Sequence, residues 1–251
     1  MCGISGIWNF NGHPASQESV TAMTQALSHR GPDEEGSYIN GPVGLGHCRL
    51  SIIDISTGQQ PMCNENRKIW ITYNGEVYNF EQLRGDLLAK GHSFRTRSDT
   101  EVIVHLYEEM GPRCVDLLRG MFAFAIWDDE KKTMLLARDR LGLKPLYYVL
   151  DENRLIFSSE IKGILAAGTV RRDINYDALY AYFTRDYIPS PDSIYANIHK
   201  LPPAHILICS PKSSSLKQYW HLQNAGVSPD IGKTEEDYLA QLEALLKESV
   251  S

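Results

Sequence analysis

The chain has 251 residues, 43% of them hydrophobic, and a formal net charge of −6 at pH 7, so it can bury a sizeable core and presents no basic field for nucleic acid. No apolar run approaches the roughly 20 residues that span a bilayer. The N-terminus lacks the basic and apolar regions of a signal peptide, and we therefore expect a cytoplasmic protein with no membrane or nucleic-acid partner.

Taken in chain order, the hydrophobic patterns predict strands early and late, with helices between them. Ser16 is a plausible N-cap for the first helix, and Gly91 a stop signal for the second. Strands are predicted at about 4–10, 43–54, 68–75, 121–128, 133–139, 145–150, 154–159, 205–210 and 216–220, and helices at about 16–28, 79–90, 100–110, 159–168 and 176–183. This order favours an α+β fold over a regular βαβ alternation.

The C-terminal stretch has a different composition. Residues 223–233, QNAGVSPDIGK, read as a linker. Thr234 and Asp237 then form a potential capping box in front of an amphipathic helix. We expect one domain over 2–220, a linker over 221–233 and the first helix of a second, truncated domain over 234–251.

The cysteines and histidines do not indicate a metal site. The five cysteines are an odd number, widely spaced, with no C-x-x-C pair, which argues against zinc binding and a disulfide framework. The eight histidines show no H-x-x-x-H spacing. We expect no metal, and we expect buried thiols except at Cys2.

Cys2 stands directly after the initiator methionine, where a core residue would be unusual because chain termini fray. Removal of Met1 would leave a cysteine that carries both a thiol and an α-amine, whose pKa near ~8 lets it accept the thiol proton. This is the pairing of nucleophile and base that covalent catalysis uses. The alternative is that Cys2 is only an accidental second residue.

Three further stretches allow two interpretations each. Asn74-Gly75 is a strong hairpin-turn signal, but its amide groups could also form an oxyanion hole. Arg49 could clamp a carboxylate or be a solvent-exposed residue of an edge strand. Asp99 could bind an ammonium group, or with Ser98 it could simply cap a helix. Together with Cys2, the functional alternatives would recognise both α-groups of an amino acid and attack its side-chain carbonyl, for which glutamine is the natural fit.

Seven motifs in order carry a family resemblance: MCGISG, HRGPDEEG, RLSIID, YNGEVYN, SDTEVI, LRGMFAFAIWD and ARDRLGLKPLYY. Together they resemble the class II, N-terminal-nucleophile glutamine amidotransferase domain of the asparagine synthetase family over about residues 2–220. The chain departs from the family at Ala204, where glycine is typical.

The resemblance implies a four-layer αββα sandwich of two antiparallel sheets. It implies that Cys2 is the nucleophile, that Asn74 and Gly75 form the oxyanion hole, and that Arg49 and Asp99 hold the glutamine α-carboxylate and α-amine. The remaining substrate-binding residues that it implies are Leu50, Ser51, Ile52, Ile53 and Glu76.

The resemblance also implies partners beyond this chain. Full-length relatives activate aspartate with ATP and Mg²⁺ in a second domain, which receives ammonia from the glutaminase site. The glutaminase domain itself is expected to need no cofactor. A homodimer is left open.

Three alternatives stay open at this point. The domain could feed ammonia to a sugar phosphate or phosphoribosyl acceptor, or to another acceptor such as a sugar acid of a surface polysaccharide. It could also be a non-catalytic interaction domain on the same fold.

Overall fold

The computed structural model describes residues 1–51, 54, 56–224 and 232–250. Within these residues the strands are β1 (Gly3–Asn9), β2 (Glu34–Asn40), β3 (Val43–Arg49), β4 (Met62–Cys63), β5 (Ile69–Val77), β6 (Gly120–Asp128), β7 (Thr133–Arg138), β8 (Tyr147–Leu150), β9 (Arg154–Ser158), β10 (His199–Lys200), β11 (His205–Ser210) and β12 (Ser213–Gln218). The helices are α1 (Gln17–Gln25), α2 (Phe80–Ala89), α3 (Asp99–Met110), α4 (Ile161–Ala166), α5 (Tyr176–Arg185) and α6 (Glu235–Val250), with short 3₁₀ turns at Gly111–Asp116 and Leu222–Asn224.

The strands form two antiparallel sheets of six strands each within the described residues. Sheet 1 has the order β10-β8-β9-β1-β3-β2, and sheet 2 has the order β12-β11-β7-β6-β5-β4. The first strand of the chain thus lies inside sheet 1, between β9 and β3. This pairing holds the N-terminal segment in place from Gly3 onward.

Apolar side chains from the two sheets interdigitate to form the central core. Trp8 of β1 packs against Trp127 of β6, with ring centroids 4.9 Å apart. A second apolar layer lies between sheet 2 and helices α2 and α3, and a third between sheet 1 and helices α1 and α4. The layers are therefore helix, sheet, sheet and helix, and the predicted αββα sandwich is confirmed.

Several predicted boundaries were wrong, each for a local reason. The strand β2 was not predicted, because its mostly polar residues lie at the exposed edge of sheet 1. The strand predicted over 43–54 ends at Arg49. The helix predicted over 16–28 ends at Gln25 and continues as turns, although its N-cap was correct, since Ser16 accepts a hydrogen bond from the Ser19 amide.

Ala204, where the family typically has glycine, has a φ of +59°, which lies in the left-handed region. Its side chain is buried, and its amide donates to the carbonyl of Asp139. The alanine therefore keeps a backbone conformation that glycine adopts at lower cost. The departure from the family leaves this turn intact.

Contacts within the chain divide it into two units, Met1–Trp220 and His221–Ser251. The predicted linker includes 225–231, which lie outside the described residues, so the assignment of the second unit stays a prediction. In α6 the capping box is present: the Asp237 carboxylate accepts from the Thr234 amide at 2.8 Å, and Thr234 Oγ1 accepts from the Asp237 amide at 3.3 Å. Across the described part of the chain, no helix combines the length and the apolar character that crossing a membrane requires.

Candidate active site

Cys2 is tied down although it is the second residue. Its carbonyl oxygen accepts a hydrogen bond from Arg30 Nε at 2.9 Å, and the same guanidinium contacts Glu160 Oε1 through Nη1 at 2.8 Å. A Cβ added to the next residue, Gly3, would lie 2.8 Å from Leu27 Cβ, so this glycine lets the chain pack closely on the segment that follows α1. The thiol-bearing residue thus has a defined position instead of a frayed one.

The Cys2 thiol points toward the polypeptide segment that follows β3. Its Sγ atom lies 3.7 Å from the carbonyl oxygen of Leu50. Burial raises the pKa of the thiol above its ordinary value, while the Leu50 hydrogen bond, the chain's amino terminus and the cations Arg49 and Lys144 act in the opposite direction. The surroundings therefore contain positive charge that would stabilise a thiolate.

Asn74 and Gly75 lie inside β5, and the turn interpretation is wrong. They pair with Ala123 and Phe122 of β6, a strand that comes much later in the chain. Asn74 is buried, and its Nδ2 atom has no hydrogen-bond partner among the described residues. A buried amide without a partner costs stability, so this donor group is a candidate for binding something outside the protein.

Gly75 accepts no substitution without a shift of the backbone. A Cβ at this position would lie 2.3 Å from the carbonyl oxygen of Met121 and 2.8 Å from Phe122 Cα, both of which belong to the backbone of β6. Glycine is therefore required for the close approach of β5 and β6.

Arg49 is not an exposed residue of an edge strand. It ends β3, which lies between β1 and β2, and it is only 4% exposed. Its Nη1 atom is 2.9 Å from Glu34 Oε2, and its Nη2 atom donates to the carbonyl oxygen of Asp54 at 2.6 Å. These contacts hold a guanidinium in a fixed position near Cys2.

Asp99 is the first residue of α3, and Ser98 before it is the N-cap, which accepts from the Thr100 amide. The Asp99 carboxylate accepts from the Tyr73 hydroxyl at 2.7 Å and from the Val77 amide at 3.0 Å. Burial raises the pKa of Asp99, and these hydrogen bonds oppose the rise. The helix cap and the buried carboxylate are thus two separate residues.

These residues line one cavity of about 180 Å³. Of the predicted site residues, the lining contains Cys2, Arg49, Leu50, Asn74, Gly75, Glu76 and Asp99. Ser51 lies outside it, and its amide donates to Asp33 Oδ2 instead. Ile52 and Ile53 lie outside the described residues. The structure therefore brings together the thiol, the amide donors, one fixed guanidinium and two carboxylates.

Sequence reasoning missed other members of the lining, among them Lys144, Gln60 and Tyr73. Lys144 is buried, and its amide donates to the carboxylate of Asp139, which also accepts from the Leu143 amide. The sequence signal that could have identified Lys144 as a site residue is its place in a turn, between Gly142 and Pro145, next to strand-forming residues. Burial and the neighbouring Asp99 raise the pKa of Glu76, and the charge of Lys144 opposes this rise.

Comparisons with known proteins agree with this geometry. A family model described as a glutamine amidotransferase domain matches residues 1–220. Two asparagine synthetases (glutamine-hydrolysing) of Bacillus subtilis are similar: number 1 is 39% identical over 96% of this chain and 38% of its own length. Number 3 is 36% identical over 100% of this chain and 41% of its own length. The chain thus spans about 40% of the length of these relatives.

A solved structure shows the same fold. It is the glutamine phosphoribosylpyrophosphate amidotransferase of B. subtilis, with a TM-score of 0.64 and 21% identity, covering 87% of this chain and 49% of that one. The match over residues 1–220 and the curated relatives lead to one conclusion: this chain belongs to the glutamine amidotransferase domain family, as found in glutamine-hydrolysing asparagine synthetases.

Proposed function

We propose that the chain hydrolyses glutamine to glutamate and ammonia, with Cys2 as the nucleophile after Met1 has been removed. The observation that carries this proposal is the buried Asn74 amide, which lacks a partner among the described residues and lines the same cavity as the Cys2 thiol. An oxyanion that forms when the thiolate attacks the glutamine side-chain amide would supply that partner.

The first step needs a base, and a processed Cys2 carries one on the same residue, its α-amine. The amine accepts the thiol proton, and the thiolate forms a bond to the side-chain carbonyl carbon of glutamine. Asn74 Nδ2 and the Gly75 amide stabilise the resulting oxyanion. The amine then returns its proton to the leaving nitrogen, and ammonia departs as the γ-glutamyl thioester forms.

The second step restores the enzyme. Water attacks the thioester carbon, the carbon–sulfur bond breaks, and glutamate leaves with the thiol regenerated. We assign the glutamine α-carboxylate to the positive charge of Arg49 and the α-amine to Asp99. Because a positive and a negative side chain line one small cavity, the site would bind a free amino acid, which carries both α-groups, in preference to a simple amide.

The test is glutamate release by protein whose N-terminus has been checked by intact mass. Processed wild type should be active, and Cys2→Ala should be inactive, while Cys209→Ala, at a buried cysteine of β11, should keep its activity. A chain extended by two residues before Cys2 keeps the thiol but loses the free amine, so it should be inactive. Full activity of Cys2→Ala or of the extended chain would contradict the mechanism.

We further propose that the ammonia amidates aspartate that has been activated with ATP and Mg²⁺, in a part of the relatives that this chain does not span. The names of the relatives, asparagine synthetases, support this assignment. This chain, given glutamine, aspartate, ATP and Mg²⁺, should release ammonia without forming asparagine. Asparagine formation by the chain alone would contradict the proposal that amidation takes place in a part of the relatives that this chain does not span. The cytoplasmic location and the homodimer stay predictions.

A further inference from the structure

Two histidines and a glutamate converge where the connection between α2 and α3 meets α3. His92 follows Gly91, whose φ of +97° ends the α2 segment. His105 and Glu108 are three residues apart in α3 and therefore share one helix face. One ligand atom from each of the three side chains lies within 4.8 Å of the others.

The distances in this cluster are close to those of a tetrahedral metal site. Glu108 Oε2 lies 2.6 Å from His105 Nδ1 and 3.7 Å from His92 Nδ1. Ligand bonds of about 2.1 Å to a tetrahedral zinc ion place neighbouring ligand atoms about 3.4 Å apart. The two distances to Glu108 Oε2 differ from that spacing by about 0.8 and 0.3 Å, and the two histidine ligand atoms lie within 4.8 Å of each other.

The second nitrogen of each imidazole faces a carboxylate. His92 Nε2 is 3.1 Å from Glu109 Oε1. His105 Nε2 is 3.9 Å from Glu101 Oε1; it is buried and has no hydrogen-bond partner within the described part of the chain. Metal-ligating histidines almost always direct their other ring nitrogen to such an acceptor, which orients the ring.

The glutamate is oriented in the same way. Asn64 Nδ2 donates to Glu108 Oε1 at 2.7 Å, which leaves Oε2 directed at the two histidines. The His105 side chain is 1% exposed, whereas those of His92 and Glu108 are 14% and 22% exposed. The cluster therefore has a solvent-facing side on which a water molecule could complete a fourth position.

The surrounding charge favours a cation. The carboxylates within 4.0 Å of the two imidazoles are Glu65, Glu101, Glu108 and Glu109. Among the described residues, the lysine and arginine side chains that form ion pairs with these carboxylates are Lys90 and Arg95. Negative charge exceeds positive charge around the two imidazoles, which is the balance that a divalent ion would correct.

We propose that His92, His105 and Glu108 bind one divalent transition-metal ion, for which zinc is the best match, with water in the fourth position. Two imidazoles and one carboxylate suit zinc, whereas Mg²⁺ and Ca²⁺ prefer oxygen ligands alone. The sequence led to the expectation of no metal site, because the two histidines stand apart in sequence and only the fold brings them together.

The ion has a structural role in this arrangement. It joins the α2–α3 connection to α3, and it lies beside Glu101, whose carboxylate accepts from the Arg95 and Thr96 amides. Asp99 lies six residues before His105, or about 9 Å along the helix axis, so the metal is separate from the glutaminase chemistry. Zinc should therefore raise the melting temperature of the chain.

The experiment is isothermal titration of the full chain with Zn²⁺ in a Cys2→Ala background, because a terminal cysteine could bind zinc by itself. We expect one site, at least about tenfold weaker in His92→Ala and in Glu108→Gln and unchanged in the control His13→Ala, at an exposed histidine outside the cluster. Mg²⁺ and Ca²⁺ should not compete. X-ray absorption at the zinc edge should show two imidazoles and only nitrogen and oxygen ligands.

Three results would overturn the proposal. The first is the absence of zinc binding, which would leave a hydrogen-bonded cluster only. The second is unchanged binding in both cluster variants when circular dichroism shows that they are folded. The third is sulfur in the zinc coordination shell, which can be measured with the cluster intact and so does not depend on any cluster variant folding.

Discussion

The histidine behind the site should make the stability of the protein depend on pH. His47 of β3 in sheet 1 lies 3.0 Å, through Nε2, from the carbonyl oxygen of Tyr73 in sheet 2. It thereby holds the peptide that precedes Asn74. Burial lowers the pKa of His47 to about 4, with a further contribution from Arg49, while the Tyr73 hydrogen bond opposes the shift. The folded protein therefore keeps this imidazole neutral.

The direction of the effect follows from proton binding. Between about pH 4 and 6.5, the unfolded chain binds a proton at His47 that the folded chain does not bind. The stabilisation is therefore fully present above about pH 6.5 and is lost as the pH falls toward about 4. At about 1.4 kcal/mol for each pH unit, the loss of unfolding free energy over the whole window amounts to about 3.5 kcal/mol.

The assay is urea unfolding of wild type and His47→Gln from pH 7.5 to 4.5. Glutamine keeps an amide donor for the Tyr73 carbonyl but does not titrate. The unfolding free energy of wild type minus that of His47→Gln should fall by roughly 2–3 kcal/mol as the pH is lowered from 7.5 to 4.5. The subtraction removes groups common to both proteins, such as Asp99, whose raised pKa acts in the opposite direction. A difference that does not change with pH would refute the reasoning.

Three other substitutions test the site. Asn74→Ala should lower kcat by about 10²–10³-fold with little change in KM, measured as glutamate release; an unchanged kcat would exclude an oxyanion role. Gly75→Ala should lose both activity and thermal stability, because the added Cβ would clash with the backbone of β6. Its control is Gly85→Ala, at an open position in α2, which should gain about 0.5–1 kcal/mol of stability. Equal effects of the two substitutions would contradict the steric argument. Arg30→Lys should lower kcat more than it raises KM, because lysine lacks the planar donor set that reaches both Cys2 and the neighbouring carboxylate; a pure KM effect would contradict the positioning role.

The fold class could be predicted because most core strands carry a local signal. The strands around Trp127 and Phe157 are apolar and rich in β-forming residues, and the family motifs place them in order. The strand β2 carries no such signal, since it is an edge strand whose pairing with β3 stabilises a polar sequence. Its position follows from a non-local contact that the residues 34–40 do not encode by themselves.

The lining of the candidate cavity could be predicted where motifs name individual residues, and it could not where tertiary pairing decides which residues reach the cavity. Asn74-Gly75 is a turn signal by local propensity, but nine residue pairs with β6 hold it in an extended strand. Lys144 reaches the cavity because Asp139 fixes the loop that carries it, and spacing alone does not show that. Nor does any short-range pattern bring His92 next to His105.

The same two-sheet architecture explains why the candidate nucleophile is the second residue. β1 is paired on both sides, with β9 and β3, so the chain enters sheet 1 at Gly3 with its backbone already fixed. Sheet 2 presents the Asn74 amide to the same cavity, and the tie between His47 and Tyr73 links the two sheets beside it. In the proposed mechanism, a Cys2 held in this way would carry thiol and α-amine on one residue beside the Asn74 and Gly75 amides, which line the same cavity. An internal cysteine would need a second side chain as its base, whereas this arrangement needs only the removal of Met1.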